Sequence, residues 1–317
     1  NLNRDIRAEK NVEDVGDGII ADVRARGDDA LKDYALKFDG AKIDALQVTQ
    51  EELDEAFAAM DPYFLETLRE AAANIESFHR QQVHKNFVVN DKPGIVLGQK
   101  YTPIEKAGVY VPGGTAAYPS TVLMDVIPAK VAGVSEIVMT TPAGKDGRVN
   151  PVILAAAATA GVTKIFKTGG AQAVAALAYG TQSIPAVDKI VGPGNIYVAT
   201  AKRKVFGKVG IDMIAGPSEI LVLADGGCNP AWVAADLLSQ AEHDKLASPV
   251  LVTDSPALAR AVQAELEVQI PQLPRAAIAR ASVDDNGKII VCTALHTAIE
   301  ACNSIAPEHL EGCVEDP

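Results

Sequence analysis

Over the first 82 residues the apolar positions recur every three to four residues, which is the spacing of amphipathic helices. This pattern predicts helices over residues 13–26 and 29–38, separated by a glycine. A third helix is predicted to begin at Thr49, because Thr49 and Glu52 have the spacing of a capping box. Pro62 then opens a fourth helix. The chain therefore begins with a charged, helical segment.

The pattern changes after a predicted β-hairpin at residues 87–99. From residue 107 onward, short apolar runs end at glycine or proline and alternate with alanine-rich stretches of helical length. The predicted strands span residues 108–111, 136–140, 164–167, 189–191, 219–223, 249–253 and 288–292. Continuous apolar strands joined by helices indicate parallel sheets that are covered on both faces. Seven strands favour two Rossmann-like sheets over one.

Composition narrows the class of protein further. Apolar residues make up 48% of the 317 residues and charged residues 22%, which is enough apolar material for a large core. The formal net charge of −12 disfavours nucleic acid as a partner, because phosphate backbones repel an acidic surface. The longest uncharged run, residues 168–187, is broken by glycines and a proline, so we expect no membrane span.

The cysteine pattern predicts reduced thiols. Cys228, Cys292, Cys302 and Cys313 form no C-x-x-C pair and no closely spaced framework. Nothing near them in sequence marks an activated thiolate, so we interpret them as small core residues rather than nucleophiles. The first residues also lack the basic and apolar leader of a secreted protein. We therefore expect a reducing, cytoplasmic location.

Glycine-rich corners accompany several predicted strands, at residues 111–115, 167–172, 191–195 and 215–219. Each corner alone is typical of a tight turn. Together, at the carboxyl ends of parallel strands, they predict a cofactor cleft, since glycine lets backbone amides approach a phosphate. The six-residue dinucleotide fingerprint is absent, because Tyr197 stands where its third glycine belongs. The pattern therefore does not name the cofactor.

A helix is predicted to begin at Asn229 and Pro230 and to continue to Asp244. Gln240 and His243 are three residues apart, so their side chains share one face near the helix C-terminus, where a cation is favoured. An amide oxygen and an imidazole nitrogen could supply half of a zinc shell. The same pair is also typical of ordinary polar helix residues, and spacing alone leaves both interpretations open.

A second polar pair, Glu308 and His309, follows Pro307, which ends a predicted helix. Adjacent carboxylate and imidazole groups can divide general-base work, because one can take a proton from an alcohol while the other activates water. A solvated pair at a turn is the alternative interpretation.

Six segments occur in one order along the chain, and together they are distinctive. They are GVYVPGG at 108–114, GGAQA at 169–173, VGPGN at 191–195, DMIAGPSE at 212–219, LSQAEHD at 238–244 and APEHL at 306–310. In these segments the sequence resembles the histidinol dehydrogenase family. The resemblance covers nearly the whole chain, loosely up to about residue 100 and densely from residue 101 to residue 310.

The resemblance implies an α/β fold of two interleaved, incomplete Rossmann-like domains with parallel sheets, preceded by an N-terminal helical segment. In that arrangement residues 109–219 form an inserted domain, and residues 1–108 together with residues 220–317 form the other domain. The resemblance also implies a homodimer, in which a C-terminal segment of each chain contributes to the partner's site.

The family oxidises L-histidinol through L-histidinal to L-histidine, with two NAD⁺ and a bound zinc ion. By resemblance, Gln240 and His243 are metal ligands, and Glu308 and His309 form the acid/base pair. The positions that match substrate-binding residues are Ser218, Gln240, His243 and His309. The positions that match NAD-binding residues are Tyr110, Gln172 and Asn195. No covalent cysteine is required.

In the family, a further aspartate ligand, a substrate-binding glutamate and a last histidine ligand lie beyond the Glu–His pair, and these 317 residues contain none of them. Two protein ligands are too few for a tight catalytic zinc site, so we expect this chain by itself to bind zinc poorly and to be inactive. Two alternatives stay open: a paralogous dehydrogenase of another small amino alcohol, and a non-catalytic nucleotide-binding fragment.

Overall fold

The computed structural model describes residues 10–113, 117–162, 164–214 and 216–315. These residues divide into two compact units, and the boundary between them falls after residue 215. Each unit contains a parallel β-sheet covered by helices. The predicted α/β class with parallel sheets is therefore confirmed.

Four α-helices open the described part of the first unit. They are α1 (Lys10–Arg26), α2 (Asp28–Tyr34), α3 (Gln50–Ala58) and α4 (Pro62–His79). The capping box is present as predicted, because Thr49 Oγ1 accepts from the Glu52 amide at 3.2 Å and Glu52 Oε2 accepts from the Thr49 amide at 2.9 Å. The helix α2 is shorter than predicted, since a π-helical turn, Ala35–Asp39, takes over its last residues.

An antiparallel hairpin follows, formed by β1 (Phe87–Lys92) and β2 (Ile95–Gln99). Its two strands pair only with each other, and every one of their residues is exposed. The predicted hairpin is confirmed.

The first unit is built on a five-stranded parallel sheet. Its strands are β3 (Lys106–Tyr110), β4 (Glu136–Thr141), β5 (Lys164–Lys167), β6 (Lys189–Val191) and β7 (Gly210–Ile211). The accompanying helices are α5 (Pro119–Val131), α6 (Pro151–Ala160), α7 (Gly170–Tyr179) and α8 (Ile196–Val205). The strand order is β5-β4-β3-β6-β7, so its direction reverses between β3 and β6. In open α/β sheets, ligands bind outside the carboxyl ends of the strands at such a reversal.

The N-terminal helices pack on this five-stranded sheet. Ile19 of α1 lies in a buried cluster with residues of α7 and α8, whereas Leu53 of α3 and Leu65 of α4 lie in a second cluster with residues of α5 and α6. The two clusters take alternate residues of the strands and so cover opposite faces. The apolar faces of α1, α3 and α4 thus complete both helical layers of the first unit. The grouping of residues 1–108 with residues 220–317 that the resemblance implies stays a prediction.

The second unit contains a four-stranded parallel sheet in the order β10-β9-β8-β11. Its strands are β8 (Glu219–Ala224), β9 (Ser248–Thr253), β10 (Lys288–Val291) and β11 (His309–Cys313). Its helices are α9 (Pro230–Ala241), α10 (Pro256–Gln269), α11 (Ala276–Asn286) and α12 (Leu295–Ile305). The helices α9, α10 and α11 cover one face of the sheet, and α12 covers the other.

Two strands of the structure are not predicted by the sequence pattern. The strand β7 has two residues, and β11 has the sequence HLEGC, which contains no apolar run. Within the described ranges, none of the helices combines the length and the apolar character needed to cross a lipid bilayer.

Candidate active site

The helix α9 carries the first polar pair toward the amino edge of the second sheet. It begins where predicted: Asn229 Oδ1 accepts from the Ala231 amide at 3.0 Å, and Pro230 occupies the first turn. Because α9 connects the carboxyl end of β8 to the amino end of β9, its C-terminus lies at the amino edge of the sheet. Gln240 is half-buried in the last turn, and His243 is exposed just beyond it.

The helix ends at Ala241, three residues earlier than predicted. His243 nevertheless stays close to Gln240, because its amide donates to the Gln240 carbonyl at 3.0 Å. The Arg275 guanidinium donates to the His243 carbonyl at 3.1 Å and so ties the end of α9 to the start of α11. The two predicted ligands therefore lie together at the C-terminal end of α9.

The strand β11 presents alternate side chains to the face of the sheet that α9 covers. His309 is paired in register with Ile220, and β11 runs parallel to β8. Ile220, Val222 and Ala224 of β8 lie in the buried cluster that includes the core residues of α9. Register partners in a parallel pair point to the same face, so His309, Glu311 and Cys313 point toward the α9 side.

A side-chain contact shows which residues of α9 lie beside which residues of β11. The carboxylate oxygens of Asp236 and Glu311 and the sulfur of Cys313 lie within 4.8 Å of one another. Gln240 is one helical turn beyond Asp236, about 6 Å along α9. His309 is two strand residues before Glu311, about 6.6 Å along β11. Since α9 runs opposite to β11, both steps lead toward the same edge, and Gln240 and His309 reach the same level.

Glu308 and His309 are held against the first residue of β8. Glu308 Oε2 accepts from the Glu219 amide at 3.3 Å, and the Glu308 amide donates to Glu219 Oε2 at 3.3 Å. His309 Nδ1 lies 3.0 Å from the Glu219 carbonyl oxygen and 3.6 Å from Glu308 Oε2. A carbonyl oxygen can only accept, so Nδ1 carries the proton and the neutral ring has its lone pair on Nε2. Both side chains are about half exposed, at 50% for His309 and 43% for Glu308.

Ser218 lies directly before β8, and its carbonyl accepts from the Ser248 amide at 2.9 Å. The corner at residues 215–219 is therefore at the amino end of a strand, and the prediction that it follows the carboxyl end of a strand is wrong. The strand β7 ends at Ile211, so the glycine and proline of this corner precede β8 instead of terminating the strand before it. Ser218, Gln240, Glu308 and His309 thus share the amino edge of the second sheet.

Two of the groups in the contact between α9 and β11, the Glu311 carboxyl and the Cys313 thiol, have raised pKa values. Burial, reinforced by the neighbouring Asp236 carboxylate, raises the pKa of Glu311 above its usual range. Burial also raises the pKa of the Cys313 thiol, and Cys228 Sγ donates to the Cys313 carbonyl at 2.6 Å. All four cysteines are free.

In the first unit, the predicted cofactor residues lie at carboxyl ends of strands. Tyr110 is the last residue of β3 and is buried, and its hydroxyl oxygen accepts from the Gly170 amide at 3.1 Å. Burial raises the pKa of Tyr110, so the phenol stays protonated and its hydrogen can still be donated. Gln172 is buried in the first turn of α7, two residues after Gly170. The structure therefore brings Tyr110 to the start of the helix that carries Gln172.

Asn195 caps the helix that follows β6. Its Oδ1 accepts from the amides of Tyr197 at 3.1 Å and Val198 at 3.2 Å, which leaves the side-chain NH₂ as its donor group. The strands β3 and β6 are neighbours, and the strand order reverses between them. Tyr110 and Asn195 therefore lie on the two sides of the position where this type of sheet binds ligands.

Asp125 of α5 is a partly buried carboxylic acid whose Oδ2 is enclosed and has no hydrogen-bond partner among the described residues. Burial raises the pKa of Asp125 to about 7. The Asp212 carboxylate adds to this shift, and the Lys202 ammonium opposes it. The folded state therefore binds a proton more tightly than the unfolded chain does. It loses stability as the pH rises from about 4 to about 7.

We expect the substitution Asp125→Asn to stabilise the first unit at alkaline pH. The amide removes the cost of ionising a buried carboxyl, so the gain over the natural chain should grow by about 2 kcal/mol between about pH 5 and about pH 8. Chemical unfolding at the two pH values measures the gain. The exposed Asp44 of the same unit gives the control substitution, Asp44→Asn, for which we expect no such pH dependence. An equal effect of Asp125→Asn at both pH values would contradict the shifted ionisation.

Sequence reasoning did not single out Asp236 or Glu311, although their spacing carries a signal. Asp236 is four residues before Gln240, which is one turn of a helix, and Glu311 is two residues after His309, which is the period of a strand. The second period is meaningful only if residues 309–313 form a strand, and their composition does not predict one. Lys202 and Asp212, which form an ion pair in the first unit, were also missed.

Comparison with known proteins agrees with the sequence resemblance. A family model described as histidinol dehydrogenase matches residues 2–317. A histidinol dehydrogenase of Geobacillus kaustophilus (strain HTA426) is 58% identical over 299 residues, which cover 94% of this chain and 70% of that protein. A histidinol dehydrogenase of Bacillus subtilis (strain 168) is also 58% identical, with the same coverage. The crystal structure of histidinol dehydrogenase from Elizabethkingia anophelis matches with a TM-score of 0.94 at 38% identity, covering 99% of this chain and 73% of that one.

These similarities extend over both units rather than one motif, and the shared fold is α/β with parallel sheets. They place the chain in the class of oxidoreductases. Within that class, the chain belongs to the histidinol dehydrogenase family.

Proposed function

We propose that the protein oxidises L-histidinol through L-histidinal to L-histidine, with NAD as oxidant and zinc at the substrate. The observation that carries this proposal is the common position of Gln240 and His309. They lie on one face of the second sheet and at one level, because Asp236 contacts Glu311. A metal-binding ridge and a general base thus meet at one edge, as oxidation of a metal-held alcohol requires.

Gln240 and His243 would hold the zinc ion. Their amide oxygen and imidazole nitrogen are donors that zinc accepts, and the C-terminal end of α9 favours a cation. When bound, zinc supplies Lewis acidity that makes the hydroxyl group of the substrate easier to deprotonate. Ser218, at the same edge of the sheet, would contact the substrate together with Gln240, His243 and His309.

His309 acts as the general base. The Glu219 carbonyl holds the Nδ1–H, so Nε2 is the atom that takes the proton of the alcohol. The bond to Glu219 also fixes the plane of the ring, since Glu219 begins β8 and is tied in turn to Glu308. His309 serves again as the base when the hydrated aldehyde is oxidised.

Glu308 activates water for the aldehyde. Its Oε2 accepts from the Glu219 amide, which orients the carboxylate, and its remaining lone pairs are available to a water molecule. Water must add to the aldehyde before a second oxidation can give a carboxylate, so this step belongs to the second half of the reaction alone. Glu308 and His309 therefore have different roles although they are adjacent.

Tyr110, Gln172 and Asn195 would bind NAD in the first unit. The phenol hydrogen of Tyr110 and the NH₂ of Asn195 are donors at the carboxyl ends of the neighbouring strands β3 and β6. When bound, NAD supplies a nicotinamide that accepts a hydride. We also propose a homodimer, as in the family, and a cytoplasmic location, which the four free thiols support.

Turnover by the product of the complete coding sequence tests the proposed function. With L-histidinol, NAD and zinc, we expect two NADH for each histidine formed. A panel of other small amino alcohols is the comparison, and faster turnover of any of them would favour a paralogous dehydrogenase. NAD binding without turnover of any alcohol would favour a non-catalytic fragment.

We expect the polypeptide of residues 1–317 by itself to lose zinc on dialysis and to form little NADH. Gln240 and His243 are two ligands, whereas a catalytic zinc site usually has three from protein. Metal analysis after dialysis measures the retained zinc. Stoichiometric retention would show that other residues of this polypeptide complete the ligand set and would contradict the assignment.

A further inference from the structure

An ion pair between a buried lysine and an aspartate at the surface holds the glycine corner that precedes Asn195. Lys202 of α8 pairs with Asp212, and only 3% of Lys202 is exposed. The Gly192 amide donates to Asp212 Oδ2 at 2.8 Å, and Lys202 Nζ donates to the Gly192 carbonyl at 3.0 Å. Both polar backbone groups of Gly192 are thus bound by the two members of one ion pair.

The backbone of this corner has little freedom on its other side. Gly192 has a φ of 121°, and a Cβ added to it would lie 2.1 Å from the Tyr110 carbonyl oxygen. Only glycine fits such a close approach of β6 to the end of β3. The corner is therefore confined by Tyr110 on one side and by the ion pair on the other.

The ion pair also connects the corner to α8 at a second point. Asn195 caps α8 three residues after Gly192, and Lys202 on the same helix returns to the Gly192 carbonyl. Asp212 directly follows β7 and is only a hydrogen-bond acceptor in this network. Its Oδ1 also accepts from the Met213 amide at 2.6 Å. A displacement of the corner would therefore move the cap of α8, which is Asn195.

We propose that Lys202 and Asp212 are positioning residues that hold the Gly192–Asn195 corner in the conformation that binds the dinucleotide. This inference rests on the proposed role of Asn195 in NAD binding. The two residues act through the two polar groups of Gly192, and burying the charged Lys202 side chain is a costly way to secure a turn that has no binding role.

The test compares NADH affinity in variants of the complete protein. The double variant Lys202→Met with Asp212→Asn removes both charges, so neither charge is left without its partner next to Asp125. We expect the dissociation constant for NADH, measured by calorimetry, to rise about tenfold or more. That is the effect of losing one hydrogen bond to a charged group. The KM for histidinol should stay within about twofold.

A matched control lies on the same helix. Lys204 Nζ pairs with Asp17 Oδ2 at 2.7 Å, away from the corner, so Lys204→Met removes the same type of charge. We expect this variant to bind NADH as the natural chain does. If the double variant does not fold, Asp212→Asn alone carries the test, because the amide keeps the shape of the aspartate while losing its charge, and Lys202 keeps its hydrogen bond to the Gly192 carbonyl.

The outcomes separate the two proposals. A folded double variant with unchanged NADH affinity would overturn the positioning role. Equal losses for NADH and for histidinol would also overturn it, since they would indicate a general loss of structure. A natural protein that binds no NADH would instead overturn the proposed function.

Discussion

Replacing His309 with asparagine should slow both oxidation steps by about 10²–10⁴-fold, which is the usual contribution of a general base. The asparagine NH₂ can still donate to the Glu219 carbonyl, as Nδ1 does, so the local backbone should be retained. It offers no basic atom at the position of Nε2, however, and the alcohol and the hydrated aldehyde both lose their proton acceptor. Initial rates measured separately with histidinol and with histidinal test this expectation.

The exposed His296 of α12 provides the control for this substitution. His296→Asn removes an imidazole from the same unit at a position outside the site, and it should leave both rates unchanged. Full activity of His309→Asn with either substrate would remove His309 from the role of base.

The candidate site is carried by the helix α9 and the strand β11, and the sequence predicts the helix but not the strand. The helix α9 is predicted because Asn229, Pro230 and the apolar residues after them have the cap and the period of a helix, and these signals are local. The strand β11 is not predicted, because HLEGC is polar and lies at the edge of its sheet. It forms through backbone pairing with β8, which is distant in sequence, so no local sequence pattern predicts it.

Gln240 and His309 lie at the same level of the sheet because of that pairing between β11 and β8. If β11 were shifted by one residue, His309 would turn to the face that α12 covers and would leave the side of the sheet on which Gln240 lies. The same limit explains the corner at Ser218. Glycine and proline indicate a turn in either case, and the structure shows that this turn opens a strand, because Glu219 is paired with Ser248 and Ile220 with His309. Likewise, the apolar periods of α1, α3 and α4 predict helices but do not say which sheet they cover.

Replacing Glu308 with glutamine should affect the two oxidation steps unequally. The glutamine side chain keeps an oxygen that can accept from the Glu219 amide, so the shape of the site should be preserved. It cannot take a proton from water, and we expect oxidation of histidinal to slow by about 10²-fold or more. Oxidation of histidinol needs no water, and we expect its rate to stay within about tenfold, the smaller loss coming from the changed charge beside His309.

The number of NADH molecules formed for each histidinol measures whether Glu308→Gln slows one oxidation step or both. If Glu308→Gln blocks only the second step, each histidinol should give one NADH, and a carbonyl reagent should trap the aldehyde that accumulates. The exposed Glu300 of α12 gives the control Glu300→Gln, which should still form two NADH for each histidine. Equal losses in both steps would mean that Glu308 acts before the aldehyde forms. Its hydrogen bonds with Glu219 would then serve mainly to hold His309, and both proton transfers would depend on the imidazole alone.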